Sequence, residues 1–110
     1  MSETFHLRNK KMVYEIEERT LRAMVSANTE LKFALREFKP RQYHLLVNEL
    51  LGNEIARTYY LSKTQRPGLR VFRSLDRATE FIRKVKPDCS GIRVIKLKTP
   101  SGEGDKTIGF

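Results

Sequence analysis

The chain of 110 residues has little of what most extracellular, membrane and metal-binding proteins need. Its single cysteine, Cys89, excludes a disulfide within the chain, and together with two distant histidines, His6 and His44, it gives no zinc-ligand spacing. No apolar run is long enough to cross a bilayer, and the first eleven residues lack the apolar core of a secretory signal. We therefore expect a cytoplasmic protein that holds no metal.

Motifs of the common enzyme classes are missing as well. The sequence has neither a glycine-rich phosphate loop nor a serine-centred elbow. Its glutamates are concentrated near the N-terminus and alternate with cations, as on a solvated helix face, rather than clustering as nuclease metal ligands do. We expect a protein that is not an enzyme and uses no cofactor; a tyrosine acting on DNA, Tyr59 or Tyr60, is the catalytic alternative.

Positive charge is the main feature that is present. The formal net charge is +9, and residues 57–98 contain twelve Lys or Arg residues against Asp76, Glu80 and Asp88, so that this segment alone carries +9. Such a balance favours a polyanionic partner, first of all nucleic acid, whose phosphates bind cations with an affinity that falls steeply with salt. An acidic protein partner and a merely solvated basic surface are the alternatives.

The length supports one α+β domain over residues 1–98. Residues 99–110 contain Pro100 and three glycines, which indicates a flexible C-terminal tail. The domain divides by periodicity into a helical part, 11–51, and a β-β-α-β part, 55–98, with a small three-stranded mixed sheet.

The helical part is predicted to be an N-terminal pair of one long and one short helix. Apolar residues recur at three- and four-residue steps over 11–38, with a possible break at 26–29. Pro40 then suits a first helical position and Gly52 a helix end, which predicts a second helix over 40–51. A helix-turn-helix, with Arg41 and His44 reading bases, is a weaker alternative because the second helix would be mostly apolar.

The β-β-α-β part begins with alternation over 55–62 and 69–73, joined by a Pro-Gly turn, which predicts an antiparallel hairpin. Ser74 is a good N-cap for a helix over 75–86 that Pro87 ends, and residues 92–98 resemble a strand. A strand, a helix and another strand predict a right-handed parallel crossover.

From these patterns we predict a DNA-binding regulator or accessory factor of a bacterial, plasmid or phage type, with DNA favoured over RNA. It would be a homodimer held together by the N-terminal helices. The alternative is an inhibitor or assembly factor that docks its basic surface on an acidic protein. Because Tyr59 and Tyr60 are consecutive on a strand, they face opposite sides, and either could stack on a base. The predicted phosphate contacts, expected to form one continuous cationic surface, are Arg57, Lys63, Arg66, Arg70, Arg73, Arg93 and Lys96.

Overall fold

A computed structural model describes residues 13–97 and 105–109 of the chain. Its helices are α1 (Glu18–Ser26) and α2 (Leu75–Val85). Its strands are β1 (Val13–Ile16), β2 (Leu31–Lys39), β3 (Gln42–Leu51), β4 (Glu54–Leu61), β5 (Gly91–Ile95) and β6 (Asp105–Gly109). The α+β class predicted from the sequence is confirmed.

The strands form one mixed sheet in the order β1-β4-β3-β2-β5-β6. β1 pairs with β4, and β2 with β5, in parallel, whereas β3 and β6 are antiparallel to their neighbours. Strands β1, β4, β2 and β5 therefore all run in the same direction. The long strands β2, β3 and β4 follow one another as a meander in the middle of the sheet.

Two helical crossovers decide which side of the sheet is covered. One runs from β1 through α1 to β2, and the other runs from β4 through α2 to β5. Each joins parallel strands and skips two strands in the same direction along the sheet. Crossovers of one hand that step in the same direction place their helices on the same face. We call that side the helix face and the opposite side, which carries no helix among the described residues, the open face.

The hydrophobic core lies between the two helices and the helix face. Alternate residues of each strand point into it, as the two-residue period of a strand requires. Leu35, Leu45 and Val47 at its centre are almost fully buried. The remaining buried members of this core are Leu21, Leu31, Phe33, Tyr43, Leu61, Phe72, Ala78, Phe81, Ile82, Val85, Ile92 and Val94.

The prediction of an N-terminal helical pair is wrong in both of its members. Within the described residues 13–38 only α1 is helical, and the chain leaves it near the expected break, with Asn28 at a φ of 61°. The following residues form β2, because Leu31, Phe33 and Leu35 alternate toward the core. Leu31 and Leu35 are four residues apart and satisfy both periods, so the helical pattern extended too far.

The second predicted helix, 40–51, is strand β3. Pro40 and Arg41 form the tight turn between β2 and β3, with Arg41 at a φ of 62°. Gly52, at a φ of 67°, lies in the turn that joins β3 to β4. Glycine in this left-handed conformation ends helices and also closes hairpins, so it does not distinguish between them. The helix-turn-helix is excluded, and the helices assigned to the subunit contact do not exist as predicted.

The C-terminal half agrees more closely with its prediction. β4, α2 and β5 lie where two strands and a helix were expected, and the Ser74 hydroxyl caps α2 by accepting a hydrogen bond from the Arg77 N–H at 3.1 Å. Residues 69–73 are not a regular strand: they make isolated bridges, Ser62 to Leu69 and Tyr43 to Phe72. The three-stranded sheet is thus wrong, because β5 pairs with β2 and six strands form one sheet.

Part of the predicted C-terminal tail, residues 99–110, belongs to the described part of the chain. Residues 105–109 of that tail form β6, which pairs with β5 at the edge of the sheet. Residues 98–104 and 110 lie outside the described part of the chain.

Candidate nucleic-acid interface

The open face is built from the even-numbered residues of β2 and β3 and their neighbours on β4 and β5. The register places Arg36 opposite His44, Leu46 opposite Tyr60, and Ala34 opposite Arg93. These residues alternate with the core residues of the same strands, so the fold that buries one set brings the other set together.

Three aromatic side chains form a row on this face. The rings of Phe38 and His44 are stacked, with centroids 3.9 Å apart and planes 7° from parallel. The ring of Tyr60 meets that of His44 edge to face, with centroids 6.1 Å apart. A register shift between Glu37 and Lys39 puts a bulge at Phe38, next to the turn that follows. We call Phe38, His44 and Tyr60 the aromatic row.

Cationic side chains lie beside the aromatic row. Arg36 Nη1 donates a hydrogen bond to the Tyr60 hydroxyl at 3.3 Å, which links the guanidinium to the row. Lys32, on the same face of β2 and separated from Arg36 by Ala34, is exposed, and so is Arg93 on β5. The three cations and Tyr60 line one groove with a volume of about 1140 Å³. Among the described residues that line the groove, the acids are Glu30 and Asp88, and Asp88 pairs with Lys86 at 3.0 Å.

The floor of the groove consists of short or apolar side chains. Ala34, Leu46 and Thr58 are only 3%, 8% and 8% exposed, although neither of the two helices in the described part of the chain covers them. The Thr58 hydroxyl donates to Asn48 Oδ1 at 2.8 Å, which satisfies the polar group buried there. Long side chains around a low floor produce a recess with cationic walls, an arrangement that can hold a flat ring and a phosphate together.

The charge of His44 depends on its place in the row. Partial burial lowers the pKa of the His44 imidazole below its ordinary value of 6.5. His44 is therefore neutral at pH 7 and serves there as a flat ring rather than as a cation.

Two residues predicted as contacts, Lys63 and Arg66, lie in a loop at one end of the sheet. This end loop, residues 62–73, is tied to β3 by two backbone hydrogen bonds of 2.9 Å between Tyr43 and Phe72. It is tied to β4 by a bond of 2.9 Å from the Arg70 N–H to the Leu61 carbonyl. Because Tyr43 and Leu61 directly adjoin His44 and Tyr60 in the chain, the end loop and the aromatic row share one end of the sheet.

Arg70 and Arg73 lie on the helix side of that loop. The Arg70 guanidinium lies 4.5 Å from the centroid of the Phe81 ring and pairs with Glu18 at 3.2 Å. Arg70 and Arg73 line a second, smaller hollow, together with Arg77, Glu80 and Lys84 of α2. The contacts of Arg70 indicate a structural role in joining the end loop to both helices.

Arg57 and Tyr59 belong to the helix face as well. The Arg57 guanidinium lies 5.6 Å from the centre of the Tyr14 ring, and the Tyr59 hydroxyl donates to Glu49 at 2.8 Å. Tyr59 packs against the core, whereas Tyr60 lies in the groove, so the expectation that the two tyrosines face opposite sides is confirmed. Of the two tyrosines, Tyr60 is the one that lines the groove.

The two predicted residues beyond α2 differ in their surroundings. Arg93 lines the groove of the open face. Lys96 follows β5 near Glu37, a carboxylate that accepts hydrogen bonds from the Arg41 and Leu97 N–H groups at 2.9 and 3.1 Å. The predicted contacts are thus distributed over the open face, the end loop and the helix face, and do not form one continuous surface.

Sequence reasoning missed Lys32, Arg36, Phe38 and His44 as members of one site. All four fell inside segments predicted as helices: Lys32 and Arg36 would have shared a helix face, but Phe38 was assigned to the apolar stripe and His44 to the second helix. The signal that could have found them is the two-residue spacing of Lys32, Ala34, Arg36 and Phe38, interleaved with Leu31, Phe33 and Leu35.

Comparison with protein-family models, with curated proteins and with solved structures finds no match for this chain. Within the described residues, no helix has the length and apolar character to cross a membrane. The same residues contain no group of three or more His, Cys, Asp or Glu side chains placed to hold a metal ion.

Proposed function

We propose that this protein binds nucleic acid through the open face of its sheet. The observation that carries the proposal is the aromatic row beside a groove with Lys32, Arg36 and Arg93 along its walls. Sheets that expose aromatic rings between cations are a recurrent platform for nucleic acid, because the rings stack on bases and the cations bind phosphates.

The end loop extends this surface. Lys63 and Arg66 are exposed there, at the same end of the sheet as the aromatic row. A chain of phosphates that leaves the groove past Tyr60 would reach them. DNA is our first choice of ligand, and we assign the protein an accessory or regulatory role in binding DNA rather than a catalytic one.

The central test compares two double variants: one lacks two cations of the groove, and the other lacks two cations elsewhere on the protein. Lys32→Ala with Arg36→Ala should lower the affinity for a fluorescent oligonucleotide about tenfold or more at low salt. It should also reduce the slope of log affinity against log salt by about two, one for each lost phosphate contact. Fluorescence anisotropy at several salt concentrations measures both quantities.

A matched control removes the same charge from α2. Arg77→Ala with Lys84→Ala also deletes two exposed cations, but these line the hollow on the helix side. This variant should keep its salt slope. Equal losses in the two double variants would show that net charge alone attracts the oligonucleotide, and absence of binding by the unaltered protein would reject the proposal.

The end loop is tested separately. Lys63→Ala with Arg66→Ala should weaken binding less than the groove variant and leave the melting temperature unchanged, because both side chains are exposed. An unchanged affinity for duplex DNA, single-stranded DNA and RNA would remove the end loop from the site.

A protein partner is the second candidate, and one observation favours it. Leu51 and Ile55, on either side of the turn between β3 and β4, are 78% and 52% exposed. Large apolar side chains exposed together are common in protein contacts. Purification without nuclease distinguishes the two functions: an absorbance ratio typical of bound nucleic acid favours the first, and a stoichiometric acidic protein favours the second.

A further inference from the structure

We infer that the open face selects single-stranded nucleic acid and that unpaired bases stack on the aromatic row. This inference rests on the proposed function, which requires only that nucleic acid binds the open face. It adds the substrate class and assigns the rings of Tyr60 and of the Phe38–His44 pair as the surface that receives bases.

The geometry of the row determines how a base would meet it. Phe38 and His44 are parallel at 3.9 Å, which leaves no room for a base between them, so the pair offers a single platform. Tyr60 stands nearly perpendicular to His44, at 75°, and its hydroxyl is held by Arg36. A base therefore stacks on the outside of this assembly, beside a guanidinium placed to meet the adjoining phosphate.

The shape of the site favours an unpaired strand. The ring faces of bases in a duplex are already covered by their neighbours, and only base edges are presented in the grooves. An unpaired base can turn its face toward an aromatic side chain. The open face is recessed around Leu46 and Thr58, whereas an element that reads a duplex has to protrude into a groove of the DNA.

The floor of the groove adds a polar group for the base edge. Asn48 lines the groove, and its amide oxygen accepts the hydrogen bond of Thr58. The same amide carries N–H donors that can meet an acceptor on a stacked base. Two neutral polar groups on an otherwise apolar floor suit a base better than a phosphate.

The first experiment compares three probes that have equal phosphate numbers per strand. They are a single-stranded DNA of about 12 nucleotides, its duplex, and an abasic strand of the same length. We expect the single strand to bind about tenfold or more tightly than the abasic strand, and more tightly than the duplex. Equal binding of the single strand and the abasic strand would overturn the stacking inference but leave phosphate binding, and with it the proposed function, intact.

The second experiment separates the ring of Tyr60 from its hydroxyl. Tyr60→Leu should weaken binding of the single strand about tenfold and leave the abasic probe unchanged, whereas Tyr60→Phe should stay within about twofold. Tyr14→Leu is the matched control, because Tyr14 is an exposed tyrosine that lies against Tyr59 instead of the row. Equal affinities of the Tyr60→Leu and Tyr60→Phe proteins would overturn the inference.

A third measurement is a direct optical readout of stacking. The chain contains no tryptophan, so Phe38→Trp introduces a single reporter within the row. We expect its fluorescence to be quenched by the single strand and not by the abasic strand. Binding of the single strand without quenching would contradict stacking at this position, and failure of all three probes to bind would reject the proposed function itself.

Discussion

The two faces of the sheet differ although they are made from the same strands. Leu45 and Leu46 are neighbours in β3, and both are buried, yet Leu45 packs into the core under two helices while Leu46 lies on the floor of a groove. The helix face meets apolar side chains of α1 and α2, whereas within residues 13–97 and 105–109 the open face is bordered by long side chains and not by a helix. The two faces therefore differ in packing: the helix face is covered by α1 and α2, and the open face borders the groove to which we assign binding as a proposal.

We expect the two faces to differ most in how much stability is lost when a leucine side chain on each face is shortened to alanine. Leu45→Ala removes a side chain that is fully buried among core residues, and it should lower the free energy of unfolding by about 2–5 kcal/mol. Leu46→Ala should cost clearly less, because the groove beside it can be filled by water or by neighbouring side chains. Urea unfolding of the two variants measures the difference.

The control for this pair is the m-value, which must stay constant for the comparison to report stability alone. Equal losses in both variants would contradict the distinction between the faces, since they would mean that Leu46 is packed as tightly as Leu45. Nucleic-acid affinity supplies a second contrast: Leu46→Ala should alter it, and Leu45→Ala should not under conditions where both proteins are folded.

A smaller effect is expected at the start of α2. Ser74→Ala removes the hydroxyl that accepts the Arg77 N–H, and loss of such a cap lowers the free energy of unfolding by about 1 kcal/mol. Because α2 lies on the helix face, affinity for an oligonucleotide should remain unchanged. Thermal unfolding and anisotropy on the same samples test both statements, and a loss of affinity without a loss of stability would place α2 in the binding site.

The smallest effect is a pH dependence on the open face. The pKa of His44 is lower in the folded protein than its ordinary value of 6.5, so the unfolded chain takes up this proton at a higher pH. The stability contributed by neutral His44 is therefore present above pH 6.5 and is lost as the pH falls through the folded-state pKa. Protonation also adds a cation beside Arg36, so affinity for an oligonucleotide should rise over the same range.

Replacement of His44 identifies the source of that dependence. His44→Gln should flatten both profiles between pH 7.5 and the folded-state pKa, while His6 is unchanged in both proteins. Glu18, Glu37 and Asp88 have pKa values that are lowered from those of ordinary carboxyl groups, which moves their titration further away from neutral pH. A profile that persists in His44→Gln would assign the effect to another group.

The segments that were predicted correctly have boundary residues that are compatible with only one kind of secondary structure. Ser74 before an apolar period and Pro87 after it define α2, since a capping hydroxyl and a proline have no competing use at those places. Tyr59 and Tyr60 lie in a segment whose successive residues alternate between the two sides of a strand. The class of the protein, the position of α2 and the placement of Tyr60 opposite Tyr59 followed from such local signals.

The segments that were predicted wrongly have residue patterns that are compatible with both a helix and a strand. Leu31 and Leu35 fit a helix and a strand equally well, and Gly52 serves a helix end and a hairpin turn alike. For such segments the outcome depends on what they pack against, because tertiary contacts override local preference. In the structure, residues 31–51 form the centre of the sheet. This arrangement places on one face four residues that the helical prediction had not grouped: Lys32, Arg36, Phe38 and His44.

The sequence by itself determined that the chain is strongly basic, that its C-terminal half alternates strand and helix, and that Tyr59 and Tyr60 face opposite sides of a strand. Only the tertiary structure decided which cations share a surface. The physical reason is that a strand sends neighbours to opposite faces, so a site forms from residues on adjacent strands, such as Arg36 beside His44 and Leu46 beside Tyr60, whose pairing no single segment contains.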